Sequence, residues 1–294
     1  MKSRLFFDKI YKRIFFGAAF LSVFTLLGIF GMLLINGLNM FSEVSVGEFL
    51  LGRVWNPAAY GEAKYGILAM MASTGLVTIG AMAIAIPLGI GTAAYLSEIS
   101  SPRLAAILKP IIEILAAIPS VAIGFLGIVL VGPFLANVFG LNNGLNALNG
   151  ALLLAVMALP TIITVAEDAI RAVPKAYKEG SYALGANKWT TLIQVTLPSS
   201  YSGIIAAVML GMGRAIGETM TVLMATGNAT SMPEGYFSSI RTMTATIAIE
   251  LGEVPFGTTH YYSLFAIGTV LFLITLAVNL LAERIAASYR KMGQ

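Results

Sequence analysis

Arg214 and Glu218 are the residues of this sequence whose types and spacing point most clearly to chemistry. They stand in the run Gly213-Arg214-Ala215-Ile216-Gly217-Glu218-Thr219, inside an otherwise apolar stretch. On a helix, residues four apart share a face, so both side chains can point into one cavity. A guanidinium matches a tetrahedral oxyanion bidentately and keeps its charge when water is removed. The pair therefore predicts a path for an anionic solute, lined by Arg214, Glu218 and Thr219.

Glu218 adds discrimination between oxyanions. Phosphate near neutral pH still carries a proton that a carboxylate can accept, whereas sulfate carries none and would meet only repulsion. The alternative reading is an Arg–Glu bridge that only fixes the register of the helix. Gly213 and Gly217 favour the anion path, because glycines leave room around the charge of Arg214.

The elements that position these residues are membrane-spanning helices. Hydrophobic residues make up 57% of the chain and charged residues only 11%, whereas charged residues make up about a quarter of a soluble domain. A helix needs about 20 apolar residues to cross the hydrocarbon core of a membrane. Five uncharged runs are near or above that length: Ile14–Ile35, Ile67–Leu96, Ile114–Phe139, Leu148–Ala166 and Tyr261–Ala282.

A sixth span, from about Gly203 to Gly227, carries Arg214 and Glu218. Counting from Gly203, Arg214 lies about 16 Å into a core about 30 Å thick, near its centre. An ionised Arg at that depth costs at least about 2.5–3.5 kcal/mol, so charges of this kind mark solute paths by default.

Lys and Arg residues predict the orientation, because cationic loops resist transfer across the membrane. With both termini in the cytoplasm, 14 of the 18 Lys and Arg residues lie on the inner side. We expect residues 1–66 to hold the N-terminal segment, the first span and an external loop. Residues 67–286 would form a core of five spans, and 287–294 a cytoplasmic tail. The first span is too long for the h-region of a signal peptide and is expected to remain in the mature protein.

The sequence offers no catalytic centre. It contains no cysteine, which excludes disulfides, thiolate metal sites and cysteine nucleophiles. It also lacks the G-x-x-x-x-G-K-[ST] pattern that cradles nucleotide phosphates. We therefore predict no catalytic residue, no metal ligand and no cofactor, and a transport subunit that is not an enzyme.

The segment 167–201 between the fourth and fifth spans is too long for a simple turn. It resembles the coupling motif of ABC importer permeases, E-A-A-x-x-x-G-x₉-I-x-L-P, which that family inserts into a groove on its ATPase. The matching positions are Glu179, Gly185, Leu197 and Pro198, whereas Gly180 and Ser181 replace the two alanines and Val195 replaces the isoleucine. The resemblance implies that these residues, Val195 apart, couple the chain to an ATPase. Gly180 costs up to about 1 kcal/mol of helix stability.

Almost the whole chain resembles the C-type permease subunit of phosphate-specific ABC importers, the PstC type. The stretch Gly213–Met220 is the most specific, and Leu115–Val121 is shared more loosely with the partner permease. The resemblance implies an all-α membrane protein with six transmembrane helices in the type I ABC importer permease (MetI-like) fold, in a bacterial or archaeal plasma (inner) membrane. It also implies three kinds of partner: a second permease subunit of the PstA type, two copies of an ATPase of the PstB type and an external phosphate-binding protein of the PstS type.

Other functions stay open on the residues alone. The chain could carry sulfate, molybdate, phosphonate or an amino acid in place of phosphate. A channel or ion-coupled secondary transporter would need no ATPase and would leave the segment 167–201 without a purpose. A mainly sensory role is a third alternative.

Four smaller expectations concern single residues and short segments. Pro87, Pro119 and Pro160 are expected to interrupt the second, third and fourth spans. Glu167 and Asp168 are expected to follow the fourth span and cap the coupling helix. A stretch from about 237 to 251 is expected to form a short interfacial helix, and His260 to be an interfacial residue and not a ligand.

Overall fold

The computed structural model describes residues 2–59 and 61–292, which are mostly helical. The helices and strands are, in chain order, α1 (Lys2–Met40), α2 (Val46–Leu51), β1 (Trp55–Asn56), β2 (Lys64–Tyr65), α3 (Leu68–Ala94), α4 (Pro102–Ala117), α5 (Ser120–Leu126), α6 (Gly132–Phe139), α7 (Ala147–Arg171), α8 (Lys175–Ala183), α9 (Lys188–Thr191), α10 (Leu197–Ser199), α11 (Tyr201–Gly217), α12 (Met220–Ala225), α13 (Met243–Glu250) and α14 (Thr259–Met292). Wider π-helical turns continue three of these helices, at Tyr95–Ile99, Gly127–Val131 and Leu192–Thr196.

The predicted membrane spans are confirmed as long apolar helices, with one exception. Within 2–59 and 61–292, five helices are long and apolar enough to cross a membrane. A sixth span is obtained only if Lys188–Ser199 and Tyr201–Gly217, which meet at an angle of 71°, are counted as one. The predicted sixth span, 203–227, is therefore not one continuous helix.

The third span begins later than predicted. The sequence placed its start at Ile114, but α4 ends at Ala117, and Ile118 and Pro119 are extended before α5 begins at Ser120. The residue before a proline is disfavoured in the α conformation, and proline itself has no N–H to continue the ladder. Pro119 thus precedes the third span. Pro87 and Pro160 lie inside the second and fourth spans, but α3 and α7 continue through them and are not interrupted.

Helix α7 forms the centre of the bundle, with α3 and α11 packed against it. Its Ile162 is fully buried. A Cβ atom added at Gly89 of α3 or at Gly211 of α11 would lie 2.6 Å from the Ile162 side chain. Small residues of this kind let helix backbones approach closely in a membrane, where no hydrophobic force draws helices together.

Helices α1 and α14 pair along the edge of this bundle, and most side chains of α1 from residue 11 to 30 are exposed. Next to them, α2 and the short antiparallel pair β1–β2 enclose a small apolar core around Phe49, Trp55 and Tyr65. Helix α14 runs on to Met292, through most of the predicted tail 287–294. The last two residues of that tail, 293 and 294, lie outside the described residues.

Candidate functional site

Arg214 lies in the last turn of α11 and is partly buried. Within the described ranges 2–59 and 61–292, its side chain makes no hydrogen bond and no salt bridge to another residue. The predicted alternative of an Arg–Glu bridge is therefore not what this structure contains. A Cβ atom added at Gly213 or Gly217 would meet nothing within 4 Å, so open space borders both glycines beside the guanidinium-bearing residue.

Glu218 lies where the helix breaks. Helix α11 ends at Gly217, Glu218 is extended with ψ 131°, and α12 begins at Met220. Glycine favours such a break because it destabilises a helix interior. The Thr221 backbone N–H donates to Glu218 Oε1 over 3.3 Å, so the carboxylate caps the first turn of α12. One carboxylate oxygen of Glu218 is thus used by the fold, whereas Oε2 has no hydrogen-bond partner in the part of the chain described.

Several threonines lie close to the broken segment. The Thr244 hydroxyl donates to the Glu218 carbonyl oxygen over 2.9 Å and lies 3.0 Å from the hydroxyl of Thr242. Thr219 and Thr244 line an open cleft of about 550 Å³. Glu218 also borders a closed space, too small to hold a water molecule, with Thr74, Thr78, Thr242 and Thr244.

The structure brings two of the three predicted path residues to one break. Glu218 and Thr219 both lie between α11 and α12, whereas Arg214 precedes them by one helical turn and borders neither the cleft nor the closed space. The threonines of α13 and α3 complete the surroundings of Glu218. Sequence reasoning missed them, because isolated threonines in apolar runs give no periodic signal.

The predicted coupling segment protrudes from one end of the bundle. Glu179, Gly180 and Ser181 lie in α8, which has no buried residue. Gly185 adopts φ +86°, a left-handed conformation that favours glycine, and turns the chain toward α9. Leu197 and Pro198 begin α10.

Large apolar side chains of this segment face away from the bundle. Leu184 is 90% exposed and Trp189 is 64% exposed. A hydrogen bond of 2.9 Å between the hydroxyls of Ser181 and Thr191 holds α8 against α9. An exposed apolar surface on an ordered helix pair is typical of a protein-binding site.

Glu167 and Asp168 were placed wrongly by the sequence. Both lie inside α7, which continues to Arg171, so neither follows the span nor caps the coupling helix. Glu167 is 1% exposed and pairs with Arg171 over 2.7 Å and with Lys109 of α4 over 3.4 Å. The i,i+4 pair of Glu167 and Arg171 stabilises the last turn and extends the helix.

At the opposite end of the bundle, the Glu250 carboxylate contacts three side chains that sequence reasoning did not relate to it. Trp55 Nε1 donates to both carboxylate oxygens over 3.1 Å, Arg241 Nη1 donates over 2.8 Å, and His260 Nε2 lies 2.8 Å from Oε2. We call these four residues the Glu250 cluster. His260 is therefore an ion-pair or hydrogen-bond partner within the fold. No local pattern reveals the cluster, because Trp55 and Glu250 are 195 residues apart.

The aromatic side of the Glu250 cluster is buried. Trp55 packs edge-on against Tyr65 at 6.1 Å and against His260 at 6.0 Å between ring centroids. Burial raises the pKa of the Tyr65 hydroxyl, and the Glu43 carboxylate raises it further. Helix α13, whose bounds Met243–Glu250 lie within the predicted stretch 237–251, supplies Glu250.

Comparison with known proteins places this fold and these segments in a family. A family described as "Binding-protein-dependent transport system inner membrane component" matches residues 85–291. The probable ABC transporter permease protein YqgH of Bacillus subtilis is 38% identical over 273 residues, which cover 91% of this chain and 86% of that protein. The phosphate transport system permease protein PstC of Mesorhizobium japonicum is 35% identical over 255 residues, covering 80% and 77%.

A solved structure shows the same fold. A chain of a bacterial ABC transporter involved in the import of the acidic polysaccharide alginate superposes with a TM-score of 0.63 at 15% identity, covering 96% of this chain and 98% of that chain. The predicted all-α importer fold and the resemblance to PstC-type permeases are thus confirmed. Permeases of this kind are not enzymes and work with an ATPase and a periplasmic binding protein. This chain belongs to the binding-protein-dependent inner membrane component family and is a permease subunit of an ABC importer.

Proposed function

We propose that this permease moves inorganic phosphate inward and that Arg214 contacts the anion along its path. The observation that carries the proposal is that Arg214, in the last turn of the apolar helix α11, is partly buried and has no ionic partner in the described residues. A cation left unpaired at that place is costly to the protein alone, and an anionic solute offsets the cost. Relatives named as phosphate transport permeases support phosphate as the anion.

Glu218 and Thr219 act beside Arg214 in this proposal. Glu218 Oε1 caps α12, which leaves Oε2 to accept the proton of monohydrogen or dihydrogen phosphate. Thr219 supplies a hydroxyl at the edge of the open cleft. Sulfate, molybdate and phosphonate remain alternatives for the anion, and the printed name of YqgH states no solute.

Coupling to ATP uses the protruding segment. We propose that α8, the Gly185 turn and the Leu197-Pro198 pair dock on the ATPase, with Leu184 and Trp189 supplying apolar contact area. The specific partners would be two ATPase copies of the PstB type, a second permease of the PstA type and a binding protein of the PstS type. Both termini would then lie in the cytoplasm, and closure of the ATPase pair would open the region around Arg214 to the opposite side.

Phosphate uptake by reconstituted complexes tests this function. The wild type and Arg214→Gln are compared in proteoliposomes that hold the partner subunits, with ATP hydrolysis assayed in parallel. We expect the substitution to reduce uptake by at least about tenfold, since losing a desolvated charge partner costs 2 kcal/mol or more, while the complex still assembles and hydrolyses ATP. Arg103→Gln is the matched control, because Arg103 is an exposed cation of α4.

The control separates loss of the anion contact from loss of one positive charge. Unchanged uptake by Arg214→Gln would contradict a role in the path and, with it, the selectivity assigned to Glu218. Equal loss in Arg103→Gln would show that overall charge, and not the position of Arg214, is what the uptake depends on.

A further inference from the structure

Glu98 and Lys178 join the coupling segment to the second span. Glu98 belongs to the π-helical turn Tyr95–Ile99, which continues α3, and Lys178 lies in α8. The ammonium nitrogen of Lys178 donates to Glu98 Oε1 at a distance of 2.5 Å. The two residues are 80 positions apart in sequence, so only the fold brings them together.

This ion pair is shielded from water, unlike most of α8. The side chains of Lys178 and Glu98 are 17% and 15% exposed. Shielded pairs of opposite charge are screened little by salt, and removing one partner leaves a poorly solvated charge. Exposed pairs contribute far less.

The ion pair attaches α8 to the bundle through charged side chains. It is a salt bridge that joins a side chain of α8 directly to the end of the second span. The hydrogen bond of Ser181, by contrast, joins α8 to α9. Neighbouring Tyr177 and Glu179 are exposed, so one side of α8 is open to a partner while Lys178 is held by α3.

Helix α3 leads from this pair toward the region of Glu218. Thr74 and Thr78 of α3 border the closed space beside Glu218, and Thr74 Oγ1 accepts a hydrogen bond from the Met243 backbone N–H. From Glu98 to Thr78, the helix spans about 30 Å at 1.5 Å per residue. A packed helix of this length can carry a displacement at one end to the other as a unit.

We infer that the Glu98–Lys178 ion pair is the link that makes the second span follow the coupling helix, and that it stays closed throughout the transport cycle. Both are positioning residues: they touch neither the solute nor ATP. The inference rests on the proposed function, in which α8 binds the ATPase. It assigns a role to two residues that belong neither to the path residues nor to the coupling motif.

The first test separates coupling from assembly. Three variants are reconstituted with the partner subunits: Glu98→Gln, Lys178→Met and the charge exchange Glu98→Lys with Lys178→Glu. For each, the amount of phosphate taken up is divided by the amount of ATP hydrolysed. We expect each single variant to lower uptake per ATP about tenfold, which is within the usual range of coupling between two sites. The rate of ATP hydrolysis should stay within about twofold of wild type. The charge exchange should restore most of the ratio, and Asp168→Asn, which removes an exposed carboxylate of α7, should leave it unchanged.

A second test asks whether the pair stays closed. Because the chain has no cysteine, Glu98→Cys with Lys178→Cys introduces the only two thiols of this subunit, and a short bifunctional reagent then links them. The unlinked double variant lacks the ion pair and should show the same low uptake per ATP as the single variants, and linking the two thiols should restore most of the wild-type ratio. A ratio that linking leaves unchanged would contradict the inference. Transport that stops on linking would overturn the inference.

The outcomes separate this inference from the proposed function. An unchanged uptake-to-ATP ratio in both single variants, in intact complexes, would overturn the role of the ion pair alone. A cross-link from Leu184→Cys to the ATPase tests the docking surface itself. Absence of that cross-link in wild-type background would contradict the proposed function, whatever the ion-pair variants show.

Discussion

Buried carboxylates at the ends of the helix bundle have cationic partners, whereas the cation in the last turn of α11 has none. At the ends, Glu98, Glu167 and Glu250 are largely buried, and each pairs with at least one cation. In α11, Arg214 has no ion-pair partner in the described residues, although Glu218 is only one turn away. Paired charges hold segments of the fold together, whereas a partly buried charge without a protein partner is the kind of residue that we propose for the solute path.

The largest effect on stability is expected where the pairing is densest. Glu250→Gln removes the carboxylate that Arg241 and His260 share and leaves a mostly shielded Arg241 without an anion. We expect a loss of about 2–4 kcal/mol in unfolding free energy, as for other shielded pairs that lose one partner. Thermal unfolding of the detergent-solubilised complex measures it.

Glu253→Gln is the matched control for that loss, because Glu253 is an exposed carboxylate three residues away. The ratio of phosphate to sulfate uptake should stay the same in Glu250→Gln. If Glu250→Gln unfolds with the same free energy as Glu253→Gln, the paired charges at the ends of the bundle do not stabilise the structure.

For Arg214→Lys we expect the reverse of Glu250→Gln: unchanged stability and reduced transport. Lysine keeps the positive charge but lacks the planar fork that matches an oxyanion. We expect stability to stay within experimental error, because no protein partner is lost, and phosphate uptake to fall about tenfold through the loss of bidentate binding. Uptake and thermal unfolding are measured on the same preparation, with Arg103→Lys as control. A large loss of stability would show that Arg214 has a structural partner.

A smaller effect is expected for Glu218→Gln, because the amide oxygen can still cap α12. The variant should reduce the preference for phosphate over sulfate by about tenfold, since the repulsion of sulfate is removed while phosphate loses one proton acceptor. Competition of sulfate with labelled phosphate uptake measures the ratio. An unchanged preference would refute the role of Glu218 in selectivity and leave it as a helix cap.

The smallest effects are expected in the coupling segment, where two glycines differ in conformation. Gly180→Ala should stabilise α8 by about 0.5–1 kcal/mol, because Gly180 is helical and a Cβ atom there meets nothing within 4 Å. Gly185→Ala should instead cost about 1–2 kcal/mol, because φ is +86°. The two variants are compared by the helix content of the coupling segment and by phosphate uptake per ATP hydrolysed. Equal effects of the two substitutions would contradict the turn assigned to Gly185.

The sequence by itself determined the class of this protein. Apolar runs near the length of a bilayer fix the number of spans to within one, because no soluble fold tolerates so many consecutive uncharged residues. Local spacing was enough to find the coupling motif, since Glu179, Gly185 and Pro198 lie in one short segment. The importer family followed from the same residues and is confirmed by the relatives.

Tertiary structure alone decided how the charges are used. The break at Glu218, the start of the third span after Pro119 and the inclusion of Glu167 in α7 depend on capping and pairing that act across turns. The Glu250 cluster and the Glu98–Lys178 pair join segments 80 to 195 residues apart. Sequence patterns indicate which residues share a local face. The partner of a buried charge, however, lies on whichever segment packs next to it, and only the folded chain determines that packing.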